Sequence, residues 1–382
     1  MIKRQMTRFL FILLLLFPLN LITGQDSLRF SGQLSSWANA STGSHLPLWG
    51  GIRYIPQVNF GMPSGRQGKF DTEFSANIFG SAGLHPFDSL TASGNLKPYR
   101  AWIRYTTNHL EIRLGLQKLN FGSASMLRPL MWFDQMDPRD PLQLTDGVWG
   151  LLTRYYFLNN SSIWLWGLYG NEARRGWELV PSNRKIPEFG GRVQVPVPRG
   201  EAAISYHHRT ADSRSMGFPV YPFEKIPENR VGFDAKWDLM TGIWIEGSFT
   251  HKSRDIGFLT NQLVLNSGID YTFALGNGLY MAFEQLLATF DEKPFSFSNR
   301  TTFSLMTLSY PVGLLDNLSV IFYYNWTASN LYSFLNWKRQ FDNIILYVMA
   351  YWNPELFQLP AQTSSQNIFA GKGVQLMFVF NH

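Results

Sequence analysis

The densest gathering of ionisable side chains lies in GLQKLNFGSASMLRPLMWFDQMDPRDPLQLTDG, residues 115–147. It sets Asp134, Asp137, Asp140 and Asp146 beside Arg128 and Arg139. Carboxylates and guanidiniums crowded onto one segment can act as an electrostatic filter on whatever passes them. The DPRDP run also reads as turn chemistry, in which aspartate caps and proline fixes the backbone. Clustered carboxylates are hard oxygen donors of the kind calcium takes, although the spacing is not that of an EF-hand. No HExxH, GxSxG, phosphate-loop or dinucleotide motif is present. His207 and His208 are adjacent, so on a strand they point to opposite faces and do not make one metal site. Ser205 and His208 have opposite parity too, which argues against a hydrolase pair. The absence of cysteine excludes disulfides and thiolate chemistry. The expectation is no enzyme, no metal and no cofactor.

A second set of charges is spaced by twos. In HLEIRLGLQ, residues 109–117, Leu110, Ile112, Leu114 and Leu116 alternate with Glu111, Arg113 and Gln117. Successive strand side chains point to opposite faces, so one face here is aliphatic and the other charged. PYRAWIRYT sets Arg100, Trp102 and Arg104 against Ala101, Ile103 and Tyr105. NRVGFDAKWD sets Arg230, Asp234 and Lys236 against Val231, Phe233 and Ala235. GIWIEGSFTHK gathers Glu246, Ser248, Thr250 and Lys252. Asp71, Glu73, Arg154, Glu201, Arg209, Asp270 and Glu284 join the charged face by the same parity. The pattern recurs along the chain, bounded by turn signals such as NN, GNG and PRG. No helical periodicity competes with it, and no short repeat suggests a propeller or solenoid. SNRKIPE (182–188) and the stretch 211–227 read as long loops.

Composition narrows the class. Charged residues are 16% of the chain, against about 25% in ordinary soluble domains. Aromatics reach 16%, yet the mean hydropathy is only −0.11. Such a chain spreads its apolar residues singly along strands. At the N-terminus, Lys3, Arg4 and Arg8 precede the apolar run FLFILLLLF, and Gly24 offers a small residue before a cut. This is the pattern of a secretory signal peptide over 1–24, too short to be a spanning helix. Its removal takes three of the six net positive charges, so the high pI is no argument for nucleic acid. Residues 25–382 then form a single domain.

An alternating strand can bury its aliphatic face in a soluble sandwich or present it to lipid. The long, aromatic-ended apolar sets favour lipid, with the ionic face turned to a water-filled lumen. The end GVQLMFVFNH alternates Val374, Leu376, Phe378 and Phe380 to the last residues. It is similar to the C-terminal strand of bacterial outer-membrane barrels, which the assembly machinery recognises by its aromatic terminus. His382 stands in phase where that family more often has Phe. The resemblance to outer-membrane porins covers residues 25–382 as a pattern. It implies an all-β fold, a closed antiparallel transmembrane barrel of about 16–18 strands at about 20 residues per strand. It also implies outer-membrane lipid and the barrel-assembly machinery as partners, and a homo-oligomer. The G-L-Q, F-G and D-P-R-D-P order within 115–147 resembles porin-like and alginate-export-like barrels, where such a loop folds into or over the lumen. Residues 118–146 are therefore the expected constriction or plug.

The function expected is a channel passing small hydrophilic solutes through a mixed-charge lumen. Its candidate residues are Arg100, Arg104, Glu111, Arg113, Arg128, Asp134, Asp137, Arg139, Asp140, Arg154, Asp234, Lys236 and Glu246. They read either as cross-strand salt bridges or, through Arg100, Arg104, Arg113 and Arg154, as a basic ladder for anions. Trp102, Trp149, Trp164, Trp166, Trp177 and Trp244 read mainly as an interface girdle, with sugar stacking as the alternative. Two other functions stay open: a barrel without transport that binds surface or envelope partners, and a membrane-embedded hydrolase.

Overall fold

The computed structural model describes residues 27–42, 46–65, 67–85, 88–136, 139–217, 222–355 and 368–382. The 1–24 segment and Asp137 lie outside them.

The alternating segments form 18 antiparallel strands. The first nine are β1 (Ser27–Ser41), β2 (Leu48–Ser64), β3 (Gly68–His85), β4 (Ser89–Thr106), β5 (Leu110–Gln117), β6 (Val148–Tyr156), β7 (Ser162–Leu168), β8 (Glu188–Val197) and β9 (Gly200–Ala211). The rest are β10 (Ile226–Asp238), β11 (Gly242–Lys252), β12 (Asn261–Phe273), β13 (Leu279–Asp291), β14 (Arg300–Pro311), β15 (Asp316–Asn325), β16 (Asn330–Gln340), β17 (Ile344–Trp352) and β18 (Lys372–Asn381). Each pairs with its neighbours in sequence, and β1 pairs with β18 from Gln33↔Asn381 to Ser41↔Gly373. The sheet is thus closed on itself, as a strand set surrounded by hydrocarbon requires.

Burial settles which face is which. Phe233 is 43% exposed while its neighbour Asp234 is 3% exposed. Ile112 and Leu114 face out, and Glu111 is buried within. The outer surface is aliphatic in the middle, with Leu114, Leu151, Leu165, Val193 and Ile204 exposed. Exposed aromatics flank this belt at both ends: Trp149, Tyr169, Phe189 and Trp352 at one, Phe30, Tyr155, Phe273 and Phe380 at the other. That is the girdled belt of a membrane barrel. Leu116 departs from expectation: it is buried, as is the next residue, Gln117. Gly115, at φ +123°, turns the strand there and ends the alternation.

Connections differ at the two ends. Turns such as 65–67, 107–109 and 198–199 are short, whereas 118–147, 169–187 and 212–225 are long. In barrels of this class the long connections are extracellular.

Candidate functional site

The chain leaves β5 at Gln117 and enters the barrel. Two wall carboxylates hold it there. Glu246 of β11 accepts hydrogen bonds from the amides of Ala124 (2.8 Å) and Leu130 (2.6 Å). Glu284 of β13 accepts three more, from Ser125 (2.9 Å), Met126 (3.0 Å) and Leu127 (2.7 Å). Buried backbone N–H groups need partners, and a carboxylate satisfies several at once. Ser123 donates to Asp234 of β10 at 2.9 Å, and the Trp132 indole to Ser248 of β11 at 2.9 Å. Gly122, at φ +112°, lies against the Glu246 carboxylate, where a Cβ would collide. Gly232 on β10 leaves room for Leu130 in the same way.

Apolar side chains fill the space around these anchors. Leu127 packs with Val264, Leu286, Phe303, Leu305, Tyr323, Tyr332 and Phe334, the inward faces of β12–β16. Leu119, Phe121, Leu130, Trp132 and Phe133 pack with Val148, Leu152, Trp166 and Leu168 of β6 and β7. Burying each large side chain contributes about 1.5–3 kcal/mol. The bore next to these strands is consequently a packed core rather than a water-filled space.

The 169–187 connection also folds inward, which the sequence reading missed. It delivers Arg175, Trp177, Glu178 and Ser182 to the inner wall. Arg175 bridges Glu178 (3.3 Å) and Glu188 (2.8 Å). Arg209 pairs with Glu228 (2.6 Å) and Glu178 (3.4 Å), and Arg230 reaches both Glu178 (2.7 Å) and Glu228 (2.6 Å). Lys252 lies 3.5 Å from Glu228. Burial alone would raise the Glu178 carboxyl, but Arg175, Arg209 and Arg230 outweigh it and hold it below the usual range. The Trp166 indole donates to His207 Nδ1 at 3.2 Å, so that nitrogen accepts and Nε2–H donates to Glu188 at 3.2 Å.

The expected site residues sort into three groups. Arg104 pairs with Asp71 (2.9 Å), while Arg113 (2.8 Å) and Arg154 (3.6 Å) share Glu111. Arg100 donates to the carbonyls of Thr145 (2.9 Å) and Tyr99 (2.5 Å). These arginines are thus engaged with acceptors and do not form a bare ladder. Asp234 is the bidentate partner of Arg192 on β8 (2.5 and 3.0 Å), a residue the sequence reading overlooked. Lys236, beside Asp238 (3.7 Å), stays partly exposed near a turn. The third group is internal to the plug. Arg128 meets Asp134 (3.2 Å), Asn120 and the Phe121 carbonyl (2.8 Å). Burial raises the Asp134 carboxyl, against the opposing pull of Arg128 and Lys118. Arg139 stacks over Phe369, and Asp140 caps the Leu142 amide at 3.0 Å.

The girdle assignment is corrected for most of the tryptophans. Trp102, Trp164, Trp166 and Trp244 point inward, and Trp177 comes in on its loop; only Trp149 of the six lies on the outer face. Trp102 carries Arg104 and Arg113 over its ring, and Trp164 carries Arg154 at 3.8 Å. Ser205 and His208 are indeed apart: Ser205 meets Arg192 inside, while His208 meets Asn229.

One sector keeps solvent. Along β1–β4 six inward polar side chains are only partly covered, Gln33, Arg53, Gln57, Asn59, Glu73 and Lys97, beside buried ones such as Ser35, Asn39, Ser75 and Arg100. Lys97 bridges to Asp146 at 2.6 Å, at the end of the plug.

Solved outer-membrane proteins share this architecture. Acinetobacter baumannii OccAB1 matches with a TM-score of 0.55 and 10% identity, over 93% of this chain and 95% of that one. Vibrio cholerae OmpT, in its trimer form, matches at 0.54 and 10%, over 94% and 99%. Pseudomonas aeruginosa OccK5 matches at 0.52 and 10%, over 93% and 98%. No protein-family model and no curated protein matches the sequence. The chain has the fold of a porin-like outer-membrane β-barrel.

Proposed function

We propose that the protein is a narrow channel for small hydrophilic solutes, exported by a cleaved 1–24 signal and assembled through its C-terminal strand. The path runs between the 118–147 plug and the inner faces of β1–β4. One observation carries this reading: Gln33, Arg53, Gln57, Asn59, Glu73 and Lys97 stay partly exposed on the inner face of β1–β4, while Arg192, Arg209, Glu228, Arg230, Asp234 and Glu246 on β8–β11 are buried. Arg53, Asp71, Glu73, Lys97 and Arg104 give the path both signs of charge. Such a lining passes small polar solutes with weak ion preference.

Planar-bilayer recording of the purified full chain tests the proposal. Small, well-defined conductance steps are expected. Releasing the plug with Glu246→Gln and Glu284→Gln together should enlarge them. Silence from both the unaltered chain and the released one would defeat the channel reading, and would leave a barrel that serves only as a binding partner.

A further inference from the structure

The rim of the barrel is uneven. β1–β4 run 15, 17, 18 and 18 residues, whereas β5–β8 run 8, 9, 7 and 10. The step falls between β4 and β5. β5 pairs with β4 only from Ala101↔Leu116 to Thr106↔Glu111, because the chain then turns inward. The outer half of β4 pairs with β3 as far as His85↔Ser89. Its other edge, residues 89–96, has no backbone partner among the described residues. At ~3.3 Å per residue that is an open edge of roughly 25 Å.

The exposure is two-sided. Every residue from Leu90 to Leu96 is exposed, so neither the wall nor the plug covers this stretch. Leu90 and Leu96 are 70% and 63% exposed, opposite Leu84 and Ile78 on the outward face. Ser93 shares a hydrogen bond with Ser81 on the other face, at 3.1 Å. The run LTASGNL carries no charge and no proline. Open edges are normally blunted by lysine, proline or a bulge. Here those devices come only afterwards, at Lys97, Pro98 and the register shift between Ser75 and Ala76.

We propose that the outer edge of β4, residues 89–96, is a strand-addition site for an extended, uncharged segment of another surface polypeptide. A row of unpaired N–H and C=O groups at strand spacing is matched along its length by a further strand. Alternation fixes the chemistry of the incoming strand. It places apolar side chains beside Leu90 and Leu96, and small polar ones beside Thr91, Ser93 and Asn95. Like-to-like pairing with a second copy does not fit. Barrels in one membrane share an orientation, so their β4 strands would run the same way and tilt about 40° in opposite senses. They would cross rather than pair.

The probe is a synthetic peptide with the sequence of residues 76–85, the strand that β4 already accepts on its other side. In the detergent-solubilised full chain, the alternate amides of 89–96 that point away from β3 should exchange fast alone and at least about tenfold slower with peptide. Leu90→Lys with Leu96→Lys should abolish the peptide effect and leave conductance unchanged. Because the chain lacks cysteine, Thr91→Cys supplies a unique label. Its reaction with a maleimide should be at least about tenfold slower on intact cells than on purified protein if a strand occupies the edge. Three results would overturn the proposal: outward-edge amides, those pointing away from β3, already protected in the isolated chain, no protection of them at millimolar peptide, or equal labelling on cells and purified protein. Protection that appears only when the pure protein self-associates would assign the edge to a second copy, and would overturn it as well.

Discussion

The inner surface has two dissimilar walls. From β8 to β11 it is ionic, with Arg192, Arg209, Glu228, Arg230, Asp234, Glu246 and Lys252 all buried. From β12 to β17 it is largely apolar and aromatic, with Leu286, Phe303, Leu305, Tyr323, Tyr332, Phe334 and Tyr351 buried. Both walls obey the same alternation and both face the plug. The ionic wall holds it by directed hydrogen bonds, which fix its position. Apart from the three hydrogen bonds to Glu284 of β13, the aromatic wall holds it by area, which is indifferent to small shifts. Position and strength are thus supplied mainly by different, adjoining stretches of the wall.

The comparison can be broken at several points. The largest effect is expected where a buried charge loses its partner. Glu228→Gln keeps the shape but leaves Arg209, Arg230 and Lys252 under-compensated, and should cost about 3–5 kcal/mol in urea unfolding from micelles. Phe303→Ala should cost about as much, ~3–5 kcal/mol, for a different reason: a cavity in the aromatic wall. A loss below about 1 kcal/mol from Phe303→Ala would mean the aromatic wall does not hold the plug, and the same from Glu228→Gln would mean its cations do not depend on it. Glu284→Gln comes next, since one amide oxygen cannot serve three backbone donors. About 1–3 kcal/mol should be lost locally, read as faster amide exchange at Ser125, Met126 and Leu127.

Acid should act on the two inward connections in opposite directions. The Asp134 carboxyl is raised, so the fold favours its protonated form. The stability it offers is full below the usual aspartate value, about 4, and falls as pH rises through the raised one. The Glu178 carboxyl is depressed, so its contribution is full above the usual glutamate value, about 4.3, and falls as pH drops toward the lower one. Lowering pH from 7 should first slow exchange around Asp134, and only below about pH 4 speed it around Glu178. Parallel behaviour of the two segments would contradict this. The smallest effect is reserved for Lys97→Ala. Its pair with Asp146 is solvated, so the cost should be about 0.2–1 kcal/mol and vanish in 1 M salt.

The barrel was legible because an inside-out strand has a plain signature. Glu111 and Arg113 opposite Ile112 and Leu114 suffice to name the faces. The inward turn of 118–147 was legible as a break in that signature, with its aspartates and arginines. What holds it was not, because Glu246 and Glu284 meet backbone amides, and a backbone amide has no letter in the sequence. The aromatic wall was hidden for another reason. In NLYSFLNWKRQ both parities carry large apolar side chains, so the inward Tyr332 and Phe334 look no different from the outward Leu331 and Leu335. Arg192 did sit in phase with Glu188 and Gln194, but two consecutive glycines masked the alternation. The tryptophans were misplaced because interface and lumen both suit an amphipathic ring.

The seam between β1 and β18 joins residues almost as far apart as the chain allows: Gln33 donates to Asn381 across 348 positions. Gly32 and His382 exchange backbone hydrogen bonds at 3.0 Å beside it. β1 therefore stays half-satisfied, paired with β2 alone, until β18 is in place. Insertion before that moment would strand polar backbone in oil. Closure of the wall therefore waits on the ten residues of β18, whichever strands form before it.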